Sequence, residues 1–382
     1  MKIGVPREIK DGERRVGVTP DGVRRLVEDG HIVIVGAGAG AAVGFPDADY
    51  EAAGATLAVA PDAVWACELI VKVKEVQPAE YPLLAPGSTV FGFAQINRDP
   101  ALLAAVLAAR IQAIACETVR DEAGGLPLLA PMSRIAGRLA PLVGAAALGT
   151  DRGGAGVLLP GVDDVPGARV VVIGAGNVGA EAARMAARMG ARVSVFSRGA
   201  VRRQALAAAL AADGHRAEVH GFTAADDARL VAAVTAADLV IGAVLEPGTL
   251  SPKLLPRALV AAMRPGSAIV DVGIDQGGIA QTSRMTRLSD PTYVECGIVH
   301  YAVPNMPALV ARTATLALTQ ATLPAVRALA GRGIALALAA DRHLAAGVMV
   351  RDGHIVHAGL AADAARTHAH GMHAAGPQAP AP

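Results

Sequence analysis

A chain of 382 residues is long enough for two domains, and its 35 Lys and Arg against 34 Asp and Glu leave no charge excess to suggest nucleic acid or anionic lipid as a partner. The apolar fraction of 53% rests on Ala, Val and Leu with a single Trp, and the uncharged runs fall short of the ~20 residues a spanning helix needs, which excludes a membrane span. Cys67, Cys116 and Cys296 lie far apart, which excludes a disulfide framework and a cysteine metal site, and MKIGVPREIK has no apolar signal core, so the expected compartment is the cytoplasm.

In chain order, KIGV at 2–5 is a short apolar strand. TPDGVRRLVEDG at 19–30 has the punctuation of a helix, with Thr19 as cap, Pro20 at the first position and Gly30 past the end. HIVIVG (31–36), ELIVKVK (68–74), STVFGF (88–93) and AIACETV (113–119) are predicted as buried strands, with helical stretches such as ALLAAVLAAR (101–110) between them. Strands that alternate with helices predict a parallel sheet covered on both faces. A second series of the same kind begins near 169: RVVVIG, ARVSVFS, ADLVIGAVL and SAIVDVGI. Residues 308–348 are alanine-rich and helical, with breaks predicted at Pro324, Gly331 and Gly333. The end, 369–382, has nothing to bury, and with the histidines around it (His368, His370, His373) is read as disordered tail rather than a metal site.

The strand RVVVIG runs into GAGNVG and a helix that closes at Gly190. In such a context Gly174 makes the tight turn, Gly176 lets backbone approach a pyrophosphate and Gly179 lets helix pack on strand, while Asn177 and Val178 open the helix whose N-terminus favours an anion. An upstream run, IVIVGAGAG at 32–40, has Ala41 in place of the third glycine and Pro46 soon after, so it is read as a strand-to-loop turn. About twenty residues past the loop, where a carboxylate would hold the 2′-hydroxyl of NAD, stands Ser197 followed by Arg198, with Arg202 and Arg203 in the next helical turn. Serine and arginine suit a 2′-phosphate. The expected cofactor is therefore NADP(H), with NAD(H) the next candidate.

GVPREIKDGERRVGVTPDGV at the N-terminus, LIVKVKE, LPLLAPMSRIAGRLA, AIVDVGIDQGG and HYAVPNMPALVARTATLALTQATLP occur in an order that resembles the alanine dehydrogenase family, and less closely the alpha subunit of nicotinamide nucleotide transhydrogenase. The resemblance implies an α/β fold of two Rossmann-like, doubly wound parallel-sheet domains with a cleft between them. The substrate domain would be discontinuous, 1–130 plus 305–368, and the dinucleotide domain would be 131–304. The implied reaction is reversible oxidative deamination of L-alanine to pyruvate and ammonium, in a homo-oligomer that is commonly a hexamer. Residue by residue, Arg15 matches the arginine that holds the substrate carboxylate and Lys74 the lysine at the substrate carbonyl. Asp275 matches the active-site aspartate, Asn305 and Met306 a loop near the nicotinamide, and Ser133 a hydroxyl at the cofactor. The backbone of Ala243, Val244 and Leu245 is expected beneath the nicotinamide end. Asp271 and His300 are read as structural.

The match fails in three places. Gln95 stands where the family has a histidine acting as general acid and base, and glutamine does not titrate. Pro304 replaces the usual alanine before Asn305. Ser197–Arg198 replaces the acidic cofactor residue. Gln95 leaves three readings open: an alanine-dehydrogenase-like enzyme in which Lys74 or Asp275 carries the proton, an NADPH-dependent imine reductase like the family's carboxyethyl-ornithine synthase relatives, or a weakly active cofactor-binding protein.

Overall fold

The computed structural model describes residues 1–215, 217–244 and 251–364, so Leu245 and the expected tail at 369–382 lie outside the described residues. The chain divides into two compact units, Met1–Pro131 with the described residues from Val310 onward, and Met132–Leu309. In chain order the strands are β1 (Lys2–Val5), β2 (Ile32–Gly36), β3 (Thr56–Ala58), β4 (Leu69–Val71), β5 (Thr89–Gly92), β6 (Gln112–Ala115), β7 (Arg169–Ile173), β8 (Arg192–Phe196), β9 (Ala217–His220), β10 (Leu239–Gly242), β11 (Ala268–Asp271), β12 (Thr292–Glu295), β13 (Ile298–Tyr301), β14 (Val348–Arg351) and β15 (His354–Ile355).

The first unit holds the sheet β15-β14-β6-β5-β4-β1-β2-β3, in which β1 to β6 pair in parallel. The second holds β12-β13-β11-β10-β7-β8-β9, parallel except for the edge strand β12. The strands β4, β5, β10, β11 and β13 are buried at every position, as expected of strands covered on both faces. In each sheet the order reverses between the first strand and the fourth: β1 lies beside β4, and β7 beside β10. That is the crevice where open α/β sheets bind ligands. The first unit is discontinuous because the returning chain adds β14 antiparallel to β6.

Local signals explain the helices. Thr19 caps the helix Pro20–Glu28 by accepting the Gly22 amide, and Asp99 caps Pro100–Ala108 by accepting those of Ala101 and Leu102. Two expectations change. The predicted breaks at Pro324 and Gly331 are absent, and the helix Ala311–Arg332 runs through both to end at Gly333, the one predicted break that occurs. Proline removes one amide, but Leu318, Thr322, Leu323, Val326 and Leu329 are buried on both sides and hold the helix together. The strand predicted at 68–74 ends at Val71, because the carboxylate of Glu8 takes the amides of Val73 (2.6 Å) and Lys74 (3.4 Å). No single described helix is long and apolar enough to cross a membrane.

Candidate active site

In the first unit the crevice between β1 and β4 is filled by the loop that leaves β1. Gly17 lets that loop lie flat on the end of β4: a Cβ there would sit 2.4 Å from the Val71 carbonyl oxygen. This brings Arg15 next to the lysines. Arg15 is 2% exposed, and it donates from Nε to Glu13 Oε1 at 2.7 Å and from Nη2 to Glu13 Oε2 at 2.6 Å. The paired geometry fixes the plane of the guanidinium.

Lys72 and Lys74 are both buried, yet their surroundings push them apart. Lys72 Nζ lies 2.9 Å from Glu80 Oε1 and 3.2 Å from Glu8 Oε2, over the face of Trp65. Burial alone would lower its pKa, but the two carboxylates outweigh burial and raise it. Among the described residues, Lys74 has no such cage. Burial lowers its pKa, Glu75 opposes the shift, and the nearby cations Lys10 and Arg15 add to it. Lys10 in turn is paired with Glu75. Lys72 is thus a locked cation, whereas Lys74 is a lysine brought closer to releasing its proton.

Gln95 follows β5 with φ 44 and ψ 28, in the left-handed region. Its amide and that of Ala94 are accepted by Glu117, just past β6. Burial raises the Glu117 pKa, against those two hydrogen bonds and the charge of Lys74. Arg15, Lys74 and Gln95 are therefore gathered at the carboxyl ends of β1, β4 and β5. Sequence reading missed Glu8, Glu13 and Glu117. Glu117 had the same signal as Lys74, a polar group directly after an apolar strand.

In the second unit the glycine loop follows β7 and enters the helix Asn177–Arg188. Gly174 has φ 115, and a Cβ on it would meet the Ala243 carbonyl oxygen at 2.3 Å. A Cβ on Gly179 would lie 2.0 Å from the Gly174 carbonyl oxygen. Over Gly176, by contrast, the nearest atom to such a Cβ is Arg202 Nη1 at 4.0 Å. Gly176 also stands at the helix N-cap and, having no side chain, leaves the first helical amides uncapped by its own residue. An open cradle of backbone amides with a guanidinium at its rim fits a pyrophosphate.

The three arginines after β8 separate. Arg198 and Arg202 are exposed, whereas Arg203 donates from Nη1 to the carbonyls of Ser197 (2.6 Å) and Arg198 (2.7 Å). Arg203 therefore ties down the strand end, and its charge stays beside Ser197 and Arg198. Ser197 is buried, its amide bonded to the His220 carbonyl. Ala243 and Val244 follow β10, and a Cβ on Gly273, two residues before Asp275, would lie 3.1 Å from the Val244 carbonyl. Asp275 sits in the 3₁₀ turn Ile274–Gln276 just after β11. Asn305 has φ 60 ahead of the 3₁₀ turn Met306–Val310, with Met306 buried, and Ser133 is half-buried in the helix Ala130–Ala147.

Asp271 and His300 are structural groups. Asp271 accepts the amides of Ile279 and Ala280 and the Ser283 hydroxyl, while His300 is held between Thr282 and the Ile298 carbonyl. Among the described residues no group of three His, Cys, Asp or Glu is placed to hold a metal.

Residues 4–136 match the model of the alanine dehydrogenase/PNT N-terminal domain, and residues 140–358 that of the C-terminal domain. The chain is 49% identical to an alanine dehydrogenase of Halomonas elongata over 362 residues, covering 94% of this chain and 96% of the relative. It is 43% identical to an alanine dehydrogenase of Bacillus subtilis over 364 residues, 95% of this chain and 94% of the relative. A solved L-alanine dehydrogenase superposes with a TM-score of 0.90 at 44% identity, covering 96% of this chain and 99% of that one.

Proposed function

The chain belongs to the alanine dehydrogenase/PNT family, and on that footing we propose that it catalyses the reversible oxidative deamination of L-alanine, or a related small amino acid, to pyruvate and ammonium. The observation that carries the reading is the buried pair Arg15 and Lys74 at the crevice of one sheet, in a chain whose other sheet presents an open glycine cradle at its own. Arg15, its plane set by Glu13, takes the substrate carboxylate. Lys74 as ammonium donates to the substrate carbonyl oxygen, and its lowered pKa lets it pass that proton on. Asp275 orients the water that attacks the imine. Gln95 hydrogen-bonds the carbinolamine without titrating. A nicotinamide dinucleotide, when bound, supplies or accepts the hydride.

For the cofactor, the amides at Gly176, Asn177 and Val178 receive the pyrophosphate, and Ala243 and Val244 lie at the nicotinamide end with Ser133, Asn305 and Met306. Ser197, Arg198 and Arg202 favour a 2′-phosphate, so NADP(H) is the proposed coenzyme and NAD(H) the alternative. Cytoplasmic location and assembly as a homo-oligomer, a hexamer by family resemblance, belong to the same proposal; sedimentation velocity of the full chain tests the assembly. The non-titrating Gln95 favours one second reading, reduction by NADPH of the imine between a keto acid and a larger amino acid. Assays of pyruvate with ammonium, and of pyruvate with ornithine or lysine, each with NADH and NADPH, decide. Absence of turnover with ammonium and either coenzyme sinks the first reading, and turnover with the larger amines alone selects the second.

A further inference from the structure

A non-glycine residue in the left-handed region is costly, on the order of 1–3 kcal/mol, and persists only where its surroundings dictate it. Gln95 has no short polar side chain to stabilise that conformation locally, as Asn or Asp would. What holds it is Glu117. Oε1 accepts the Gln95 amide at 2.7 Å and Oε2 the Ala94 amide at 3.2 Å, so one carboxylate spans two successive amides that have left the β5 ladder. The carboxylate is itself anchored, since the neighbouring Cys116 amide bonds the Gly92 carbonyl at the end of β5. Ends of β5 and β6 are thus locked across a turn whose central residue is the one that departs from the family pattern.

We propose that Glu117 is a positioning residue: its two-oxygen grip on the Ala94 and Gln95 amides sets the direction in which the Gln95 side chain leaves the backbone toward the substrate, beside Lys74. The proposal rests on the reading of Gln95 as a substrate contact. It predicts that Glu117 matters to the reaction through Gln95, whereas a carboxylate that merely satisfied two amides would matter whatever stood at 95.

Two measurements on the full-length protein separate these. In hydrogen–deuterium exchange, the peptide spanning 90–97 should exchange about tenfold faster in Glu117→Ala and at an intermediate rate in Glu117→Gln, which keeps one acceptor oxygen. In a double-mutant cycle on pyruvate amination, Glu117→Ala should lower kcat by about 10- to 100-fold with the coenzyme KM unchanged, and by less than about threefold when Gln95 is already alanine. Unchanged exchange, or an equal loss in both backgrounds, overturns the proposal. Should Glu117→Ala not fold, Glu117→Gln serves in the same cycle with the same criterion. A wild-type protein that turns over no keto acid and amine overturns the proposed reaction and, with it, the substrate contact on which this inference rests, whereas equal losses in an active protein overturn this inference alone.

Discussion

The two units share the order of their first five strands and differ in what occupies the crevice that order creates. In the second, only Gly174–Gly176 separate β7 from a helix of 12 residues, and recognition is left to backbone amides and the positive end of that helix. In the first, residues 6–19 intervene between β1 and the next helix, and they carry Glu8, Glu13 and Arg15, all buried. The physical demand differs accordingly. A dinucleotide is long and offers a pyrophosphate, which repeated amides can hold without side chains. An amino acid or keto acid is small, so few contacts must discriminate it, and charged forks and ammonium groups concentrate the most energy per contact. Buried charges need partners, which is why the first unit places carboxylates against Arg15 and Lys72, and why Lys74, without such a pair, is the one whose ammonium burial disfavours.

The largest effect that tests this contrast is expected at Lys74. Lys74→Ala should lower kcat for pyruvate amination by about 10²–10⁴-fold, the range for a lost proton-transfer group, and leave coenzyme affinity unchanged. The pH profile adds a sign. Burial disfavours the ammonium, so Lys74 loses its proton below the ordinary 10.5. As the ammonium is the form that binds the keto oxygen, kcat/KM for pyruvate should fall as pH rises through a midpoint under that value. In Lys74→Arg the guanidinium stays charged and the fall should vanish. A coenzyme Kd that moves with Lys74 would blur the division of labour between the units.

The converse substitution is Gly179→Ala. The added methyl would lie 2.0 Å from the Gly174 carbonyl oxygen, and overpacking of that kind costs about 1–3 kcal/mol. Coenzyme affinity, followed by fluorescence of the reduced nicotinamide, should weaken by about 10- to 100-fold. An unmoved Kd would break the comparison and turn attention to the Gly36–Gly40 turn of the first unit. There, a three-residue turn, Ala41–Val43, stands in place of a helix.

Much of this was legible in the sequence because it rested on local rules. The apolar runs, the Thr19 cap, the glycine loop and the residues at strand ends each declare themselves within a few positions. The early end of β4 did not, because it depends on Glu8, which is 65 residues from Val73. Nor did the grip of Glu117 on Gln95, formed across 22 residues. Pairings at such separations are set by topology, and the opposite fates of Lys72 and Lys74 follow from the same cause. Alternation along a strand puts them in one class; only the carboxylates brought by other segments distinguish them.

A smaller change, and a gain, is expected at Gln95. Histidine tolerates the left-handed region better than most residues, so Gln95→His should fit the turn that Glu117 holds. It would restore a titrating group beside Lys74. Pyruvate amination should rise by about tenfold, short of the full range for general acid–base catalysis because the pocket is adapted to an amide. No gain, with turnover of larger amines intact, would favour the imine-reductase reading.

The smallest effect is expected at the rim of the dinucleotide site. Arg198 is exposed, and Arg202 stands near the glycine cradle, so the phosphate-binding charge is shared. Arg198→Asp removes one charge-assisted hydrogen bond, worth about 1.5–3 kcal/mol at most, and solvent screening reduces it. NADPH should weaken by about threefold while NADH is held or slightly improved, since aspartate can accept the ribose 2′-hydroxyl. The loss should shrink as salt is raised, because it is electrostatic and exposed. If NADPH affinity is unmoved at low salt, Ser197 and Arg198 are not the phosphate site, and the missing carboxylate after β8 does not mark a change of coenzyme.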